Sequence, residues 1–255
     1  MIKHEIRDHT AFLTIDNPPA NTWTPDSLRA LERLLRELEA DKNVYAAVIT
    51  GSGTKFFSAG ADLEHFRGDK SKAEDFITCF GAAFEPFMNA RFVTIAAING
   101  YAMGGGLECA ICCDIRIAEE HAQMGLPEAA VGLLPGGSGT QNLPWLVGEG
   151  WAKRMILTNE RVNAETALRI GLVQEVVPKG QSLEAATKLA ERVAALSPRA
   201  VRYCKELIHN ARNGMARGPG LELERERFVE LFDHGDRAEG VNAFLEKRKP
   251  EWKND

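Results

Sequence analysis

Apolar positions along the chain fall into two spacings, and the alternation between them predicts an architecture. Lys3 to Arg7 and Thr10 to Asp16 read as two short strands joined by a turn at Asp8-His9. Thr24 followed by Pro25 has the form of a helix N-cap and first helical position. Leu28, Leu31, Leu34, Leu35 and Leu38 then recur at helical spacing and form one stripe for a core. Val44 to Thr50 and Val93 to Ile98 are apolar without alternation, the pattern of strands covered on both faces. Between them Phe76, Phe80, Ala83, Phe84 and Phe87 predict a helix over 72–90, and Asp114 to Ala118 reads as a further strand. Helices are expected over 149–159 and 163–170, the second ended by Gly171, with a short extended piece from Gln174 to Val177.

Beyond Ser182 the character changes. Strand signals cease as far as Lys249, and helices follow one another with breaks at Ser197-Pro198, Gly214, Gly218-Pro219-Gly220 and Gly235. Strands interleaved with helices define an α/β class, with a core over residues 1–195 and a helical region over 196–255. Leu221, Phe228, Leu231 and Phe232 share one side of a late helix, a face that a small appendage cannot bury by itself.

The candidate chemistry lies in glycine-rich turns. Gly104-Gly105-Gly106 follows the strand Val93 to Ile98 and leads into Leu107 to Cys113, which reads as the start of a helix. Without Cβ atoms the backbone there can approach a ligand closely. Free amides at a helix N-terminus suit a negative charge, including one that exists only in a transition state. A second loop, Gly51 to Leu63, meets neither the P-loop nor the dinucleotide pattern. A third, Gly132 to Thr140, is not a nucleophile elbow, because Ser138 is followed directly by Gly139. Glu108 lies just inside the first helix, and Glu128 stands twenty residues later in Gly125-Leu126-Pro127-Glu128. Either alone reads as a solvated charge. As a pair in apolar surroundings, they could hold an acid and a base at once, or give a shared water two partners.

Composition narrows the field. The 255 residues, 44% apolar, suffice for a packed interior, and a net charge of −5 gives no footprint for nucleic acid. No run approaches the roughly 18 apolar residues of a membrane helix, and Met1-Ile2-Lys3-His4-Glu5 does not open a signal peptide. A cytoplasmic location is therefore expected. Five cysteines in a chain of this size do not suggest a disulfide framework. Cys109, Cys112 and Cys113, at helical spacing in an apolar run, read as packing residues rather than a metal site.

Ser58-Ala59-Gly60-Ala61-Asp62-Leu63, Asn99-Gly100-Tyr101-Ala102-Met103-Gly104-Gly105-Gly106-Leu107-Glu108, Cys113-Asp114 and Gly125-Leu126-Pro127-Glu128 together resemble the enoyl-CoA hydratase/isomerase (crotonase) family. The likeness runs from about Ala11 to Phe244-Leu245-Glu246-Lys247-Arg248. It implies a spiral of repeated ββα units with a C-terminal helical trimerisation region, assembled as a homotrimer or a hexamer of paired trimers. It also implies an acyl-CoA substrate, with coenzyme A part of the substrate and no separate cofactor or metal. The amides of Ala61 and Gly105 would bind the thioester oxygen, and Ala59, Asp62, Leu63 and Lys247 would contact coenzyme A. Retention of both Glu108 and Glu128 resembles the hydratases, which add water across a trans-2-enoyl-CoA; relatives that shift a double bond often keep only the equivalent of Glu128. An isomerase, a thioester hydrolase and a non-catalytic RNA-binding relative are the alternatives. Asn142 stands where arginine is frequent in the family, and Thr22-Trp23-Thr24 replaces a smaller tripeptide after Asn21.

Overall fold

A computed structural model describes residues 1–67 and 69–254. Its N-terminal hairpin pairs β1 (Ile2–Arg7) with β2 (Thr10–Ile15), turning at Asp8, whose φ is +51°. The first helix, α1 (Pro25–Ala40), begins as its sequence requires. Thr24 accepts from the Ser27 amide while the Ser27 hydroxyl accepts from the Thr24 amide, and the five leucines of the stripe are buried.

Three strand pairs then follow, and each divides itself between two sheets. β3 (Ala46–Gly51), β5 (Val93–Ile98) and β7 (Ile115–Glu119) run parallel in a six-stranded sheet of order β1-β2-β3-β5-β7-β10, where β10 is Glu175–Val177. Their short successors β4 (Phe56–Ser58), β6 (Tyr101–Met103) and β8 (Gln123–Gly125) run parallel in a second sheet closed by β9 (Val162–Asn163). This is the expected spiral of ββα units. Two helices complete it: α2 (Lys70–Asn89), which buries Phe76, Phe80, Phe84 and Phe87, and α3 (Gly105–Cys112), buried along its whole length.

The sequence reading saw the second sheet only as turns, because strands of two or three residues carry no measurable period. It also missed the start of α4 (Gly139–Leu157), expecting a helix only from 149. Ser138 provides no side-chain cap to the first turn, Pro144 lies inside the helix, and Gly148 breaks it with φ +79° and ψ 158°. The pieces on either side of Gly148 are thus two helices in series.

α5 (Ala164–Arg169) and α6 (Ser182–Ala194) follow, and α6 packs on the large sheet with Ala186 and Ala190 in its core. α7 (Pro198–Arg212) starts at the Ser197-Pro198 break and docks through Lys205. The Lys205 ammonium donates to the carbonyls of Phe87 and Phe92 and pairs with Asp114 at 2.8 Å. α8 (Arg217–Glu230) and α9 (Gly235–Glu246) are far more open, leaving Phe228 64% and Phe244 84% exposed. All five cysteines are free, and Cys109, Cys112 and Cys113 are buried packing residues. Among the described residues no helix is long and apolar enough to cross a membrane, and no cluster of three metal-ligating side chains occurs.

Candidate active site

The register of the small sheet assembles the site. Ala102 and Met103 of β6 stand opposite Met124 and Gly125 of β8, and β4 lies on the other side of β6. The three segments that leave these strands at their carboxyl ends, residues 59–61, 104–108 and 126–128, are thereby brought together, where ligands of parallel sheets usually bind. They line a cavity of about 580 Å³.

Ala61 and Gly105 line this cavity, and the backbone around each constrains the direction of its amide. Trp23 donates to the Gly60 carbonyl and accepts from the Asp62 amide, both at 2.8 Å, in a parallel bridge opposite Ala61. The peptide groups flanking Ala61 are thus turned toward Trp23, and the Ala61 amide is turned away from it. Gly105 is the first residue of α3, so its amide has no acceptor within the helix. Gly60 brings the two close. A Cβ on Gly60 would lie 2.8 Å from the Met103 carbonyl and 3.2 Å from the Gly105 nitrogen, and its φ is +96°.

The glycines of the turn are fixed by contact as well as conformation. A Cβ on Gly106 would sit 2.2 Å from the Ser58 carbonyl oxygen, at the end of β4. Gly106→Ala is expected to lower folding stability by about 1–3 kcal/mol through overpacking, measured by urea unfolding. It should also lower turnover, since β4 and α3 cannot both keep their places.

Glu108 projects from the first turn of α3 and is 3% exposed. Its Oε1 accepts from the amides of Gly137 and Gly139 at 2.8 and 2.7 Å. Burial pushes its carboxyl up to about 7. The two amides oppose that rise by favouring the anion, and the neighbouring Glu128 adds to it through like charge. Glu128 opens a short 3-10 turn (Glu128–Val131) behind Pro127. Its Oε1 presses so close to Gly104 that a Cβ there would be 2.8 Å away, while its Oε2 is buried without a hydrogen-bond partner. Burial raises its carboxyl as well. Both carboxyls are raised by burial, Glu108 against the pull of two amide donors and Glu128 with one oxygen left without a partner. The amide donors favour the anion at Glu108.

The site residues expected from sequence are distributed unevenly around this cavity. Ala59, Ala61, Leu63, Gly105, Glu108 and Glu128 all line it. Asp62 does not; its carboxylate accepts from the Glu64 amide at 3.1 Å and caps the 3-10 turn Leu63–Phe66. Lys247 lies beyond the end of α9 with φ +58° and is likewise outside the lining. Sequence reasoning missed Gly137 and Gly139, the donors that hold Glu108. The glycine density of Pro135-Gly136-Gly137-Ser138-Gly139 was the available signal. It also missed Lys70 and Arg161, cations on the cavity wall that nothing in their local sequence distinguishes.

Two sheets wound from repeated strand pairs beside a cavity lined by two glutamates and glycine turns define an enzyme-like α/β architecture, and comparison with known proteins places it. The chain matches the enoyl-CoA hydratase/isomerase family model over residues 5–255 and belongs to that family. A solved structure of Pseudomonas aeruginosa DspI is 62% identical with a TM-score of 0.96, covering 99% of this chain and 96% of that one. An enoyl-CoA hydratase structure from Bacillus anthracis is 35% identical with a TM-score of 0.96, over 100% of this chain and 99% of the other. The short-chain-enoyl-CoA hydratase of Clostridium acetobutylicum is 38% identical over 252 residues, 94% of this chain and 93% of its own.

Proposed function

We propose that this protein adds water across the double bond of a trans-2-enoyl-CoA to give a 3-hydroxyacyl-CoA, as the names of its hydratase relatives suggest for them. The observation that carries this reading is the convergence of Glu108 and Glu128 on one cavity beside the amides of Ala61 and Gly105. A thioester carbonyl seated between those amides gains enolate character as the β-carbon is attacked. Each donor contributes a few kcal/mol to the transition state, on the order of what one oxyanion donor supplies elsewhere. Glu108, its Oε1 held by two amides, orients a water and takes its proton. Glu128 delivers a proton to the α-carbon. Glu108 gains one proton from water and Glu128 gives one to carbon, so the pair's proton total is unchanged, and a proton passes back from Glu108 to Glu128 by way of solvent before the next turnover.

The apolar lining from Phe66, Ile77, Phe80, Val131 and Leu133 suits an acyl chain, and Lys70 and Arg161 offer charge to an anionic ligand. Ala59, Asp62 and Leu63 lie in the loop that would wrap coenzyme A, which enters as part of the substrate. Lys247, outside the lining of its own chain, would reach coenzyme A phosphate by way of an assembled oligomer. The exposed Phe228, Phe232, Phe244 and Leu245 favour such an assembly, a homotrimer or a pair of trimers.

Loss of the conjugated enoyl thioester absorbance, run beside a 3-enoyl-CoA isomerisation assay, tests the reading. Turnover only in the second assay would replace hydration with isomerisation. The same assay carries a pH prediction. Because Glu108 works as the anion and its carboxyl is pushed up to about 7, hydration should fall as pH drops through that value.

A further inference from the structure

Ser138 stands between the two residues whose amides hold Glu108, and it is the wrong kind of residue for its backbone. Its φ of +93° lies where glycine is favoured, and glycines flank it on both sides. Side-chain contacts keep it there. Its hydroxyl accepts from Asn142 Nδ2 at 2.8 Å and lies 3.0 Å from Cys112 Sγ. Burial pushes the Cys112 thiol up to about 12, so it remains a neutral partner. The Ser138 carbonyl, in the same peptide plane as the Gly139 amide, accepts from the amides of Gln141 and Asn142 at 3.0 and 2.9 Å.

Asn142 is itself buried and fully engaged. Its Nδ2 also approaches Met88 Sδ at 3.3 Å and Cys112 Sγ at 3.4 Å, and its Oδ1 accepts from the Arg212 guanidinium. Arg212 is the last residue of α7, seventy positions away in sequence. An unbroken path of hydrogen bonds therefore leads from the C-terminal helices to the peptide planes on Glu108.

We propose that Arg212, Asn142 and Ser138 are positioning residues that hold the Gly137 and Gly139 amides on the Glu108 carboxylate and so stabilise its ionised form. They touch neither water nor substrate, and act only through that pair of amides. The inference rests on Glu108 serving as the base. The other charged or titratable groups around Glu108 are Glu128 across the cavity, Cys112 on its own helix, Lys70 and Glu74 from α2, Arg161 beyond β8, and Arg212 behind Asn142. Of these, Cys112 loses one hydrogen-bond partner in either replacement and Arg212 loses Asn142 Oδ1 in Asn142→Ala, while Glu128, Lys70, Glu74 and Arg161 keep their surroundings.

The test titrates Glu108 directly. In the full-length protein labelled with [13C]glutamate, its carboxyl resonance is assigned by its loss in Glu108→Gln and followed with pH, while hydration is measured across the same range. Ser138→Gly suits the local backbone and keeps the chain folded. Freed of its side-chain tether, the loop should let the Glu108 midpoint rise by about half a pH unit or more, as expected when a carboxylate loses well-aligned donors. Asn142→Ala should do the same, and Arg212→Met should do so to a smaller extent. The double variant Ser138→Gly/Asn142→Ala should move no further than Ser138→Gly alone, because the effect of Asn142 passes through Ser138. A lowered Tm with an unmoved midpoint, or fully additive shifts, would overturn the proposal. A shifted midpoint in a protein without hydration activity would uphold the positioning role and overturn the hydratase reading instead.

Discussion

Glu128→Gln is expected to lower kcat for a trans-2-enoyl-CoA by about 10³-fold or more, within the range for loss of a general acid, while acyl-CoA binding persists. The carboxyl is held by packing. Its Oε1 abuts Gly104 and its Oε2 has no partner, so an amide of the same shape occupies the same volume without breaking a hydrogen bond. What it lacks is a proton that can be given to carbon. In the proposed site, binding would rest on the apolar walls and the amides of Ala61 and Gly105, which the substitution leaves alone. Titration with a saturated acyl-CoA, which cannot react, should therefore give wild-type affinity, and single-turnover hydration should show the loss. Weakened binding of similar size to the loss in turnover would mean that Glu128 shapes the cavity instead.

Glu108→Gln should cost about 10²- to 10⁴-fold in kcat by removing the base, and it should leave the loop in place. A glutamine Oε1 can still accept the amides of Gly137 and Gly139, which now bond Glu108 Oε1 at 2.8 and 2.7 Å. The amide cannot take a proton from water. Since the carboxyl pushed up to about 7 belongs to Glu108, the fall in rate below that pH should vanish from the residual activity of this variant. Persistence of the same acidic limb would assign it to another group.

Much of this fold is legible in the chain, and the reasons for the remainder are physical. The start and the buried face of the first helix could be read from the chain, because Thr24 and Pro25 specify the boundary and five leucines the face. β3 and β5 were legible as continuous apolar runs, since both lie between helical layers. The small sheet was not, although it builds the site; three residues of strand carry no period, and what holds them is their register with one another. The Gly139 helix start was hidden for a related reason, its N-cap being Ser138 in a left-handed conformation without a capping side chain. Glu108 and Glu128 were named from sequence as a pair by composition of their surroundings and by family resemblance. Their meeting follows from the pairing of Met103 with Gly125, a long-range contact that local pattern does not encode.

The same distinction separates the roles of Asp62 and Lys247 from those of Ala61 and Gly105. The two amides are placed by the backbone of this chain alone, through the Trp23 bridge and the N-terminus of α3. Asp62 is occupied as a cap of the following turn, and Lys247 lies at the end of an open helical region with exposed aromatic side chains.

Turnover of a trans-2-enoyl-CoA in H₂¹⁸O, followed by mass spectrometry of the intact thioester, tests the central claim most directly. Glu108 activating water for attack at the β-carbon predicts one ¹⁸O in the 3-hydroxyl group of a product that still carries coenzyme A, and its near disappearance in Glu108→Gln. Appearance of ¹⁸O in a free carboxylic acid, or an isomerised product with no ¹⁸O, would contradict it.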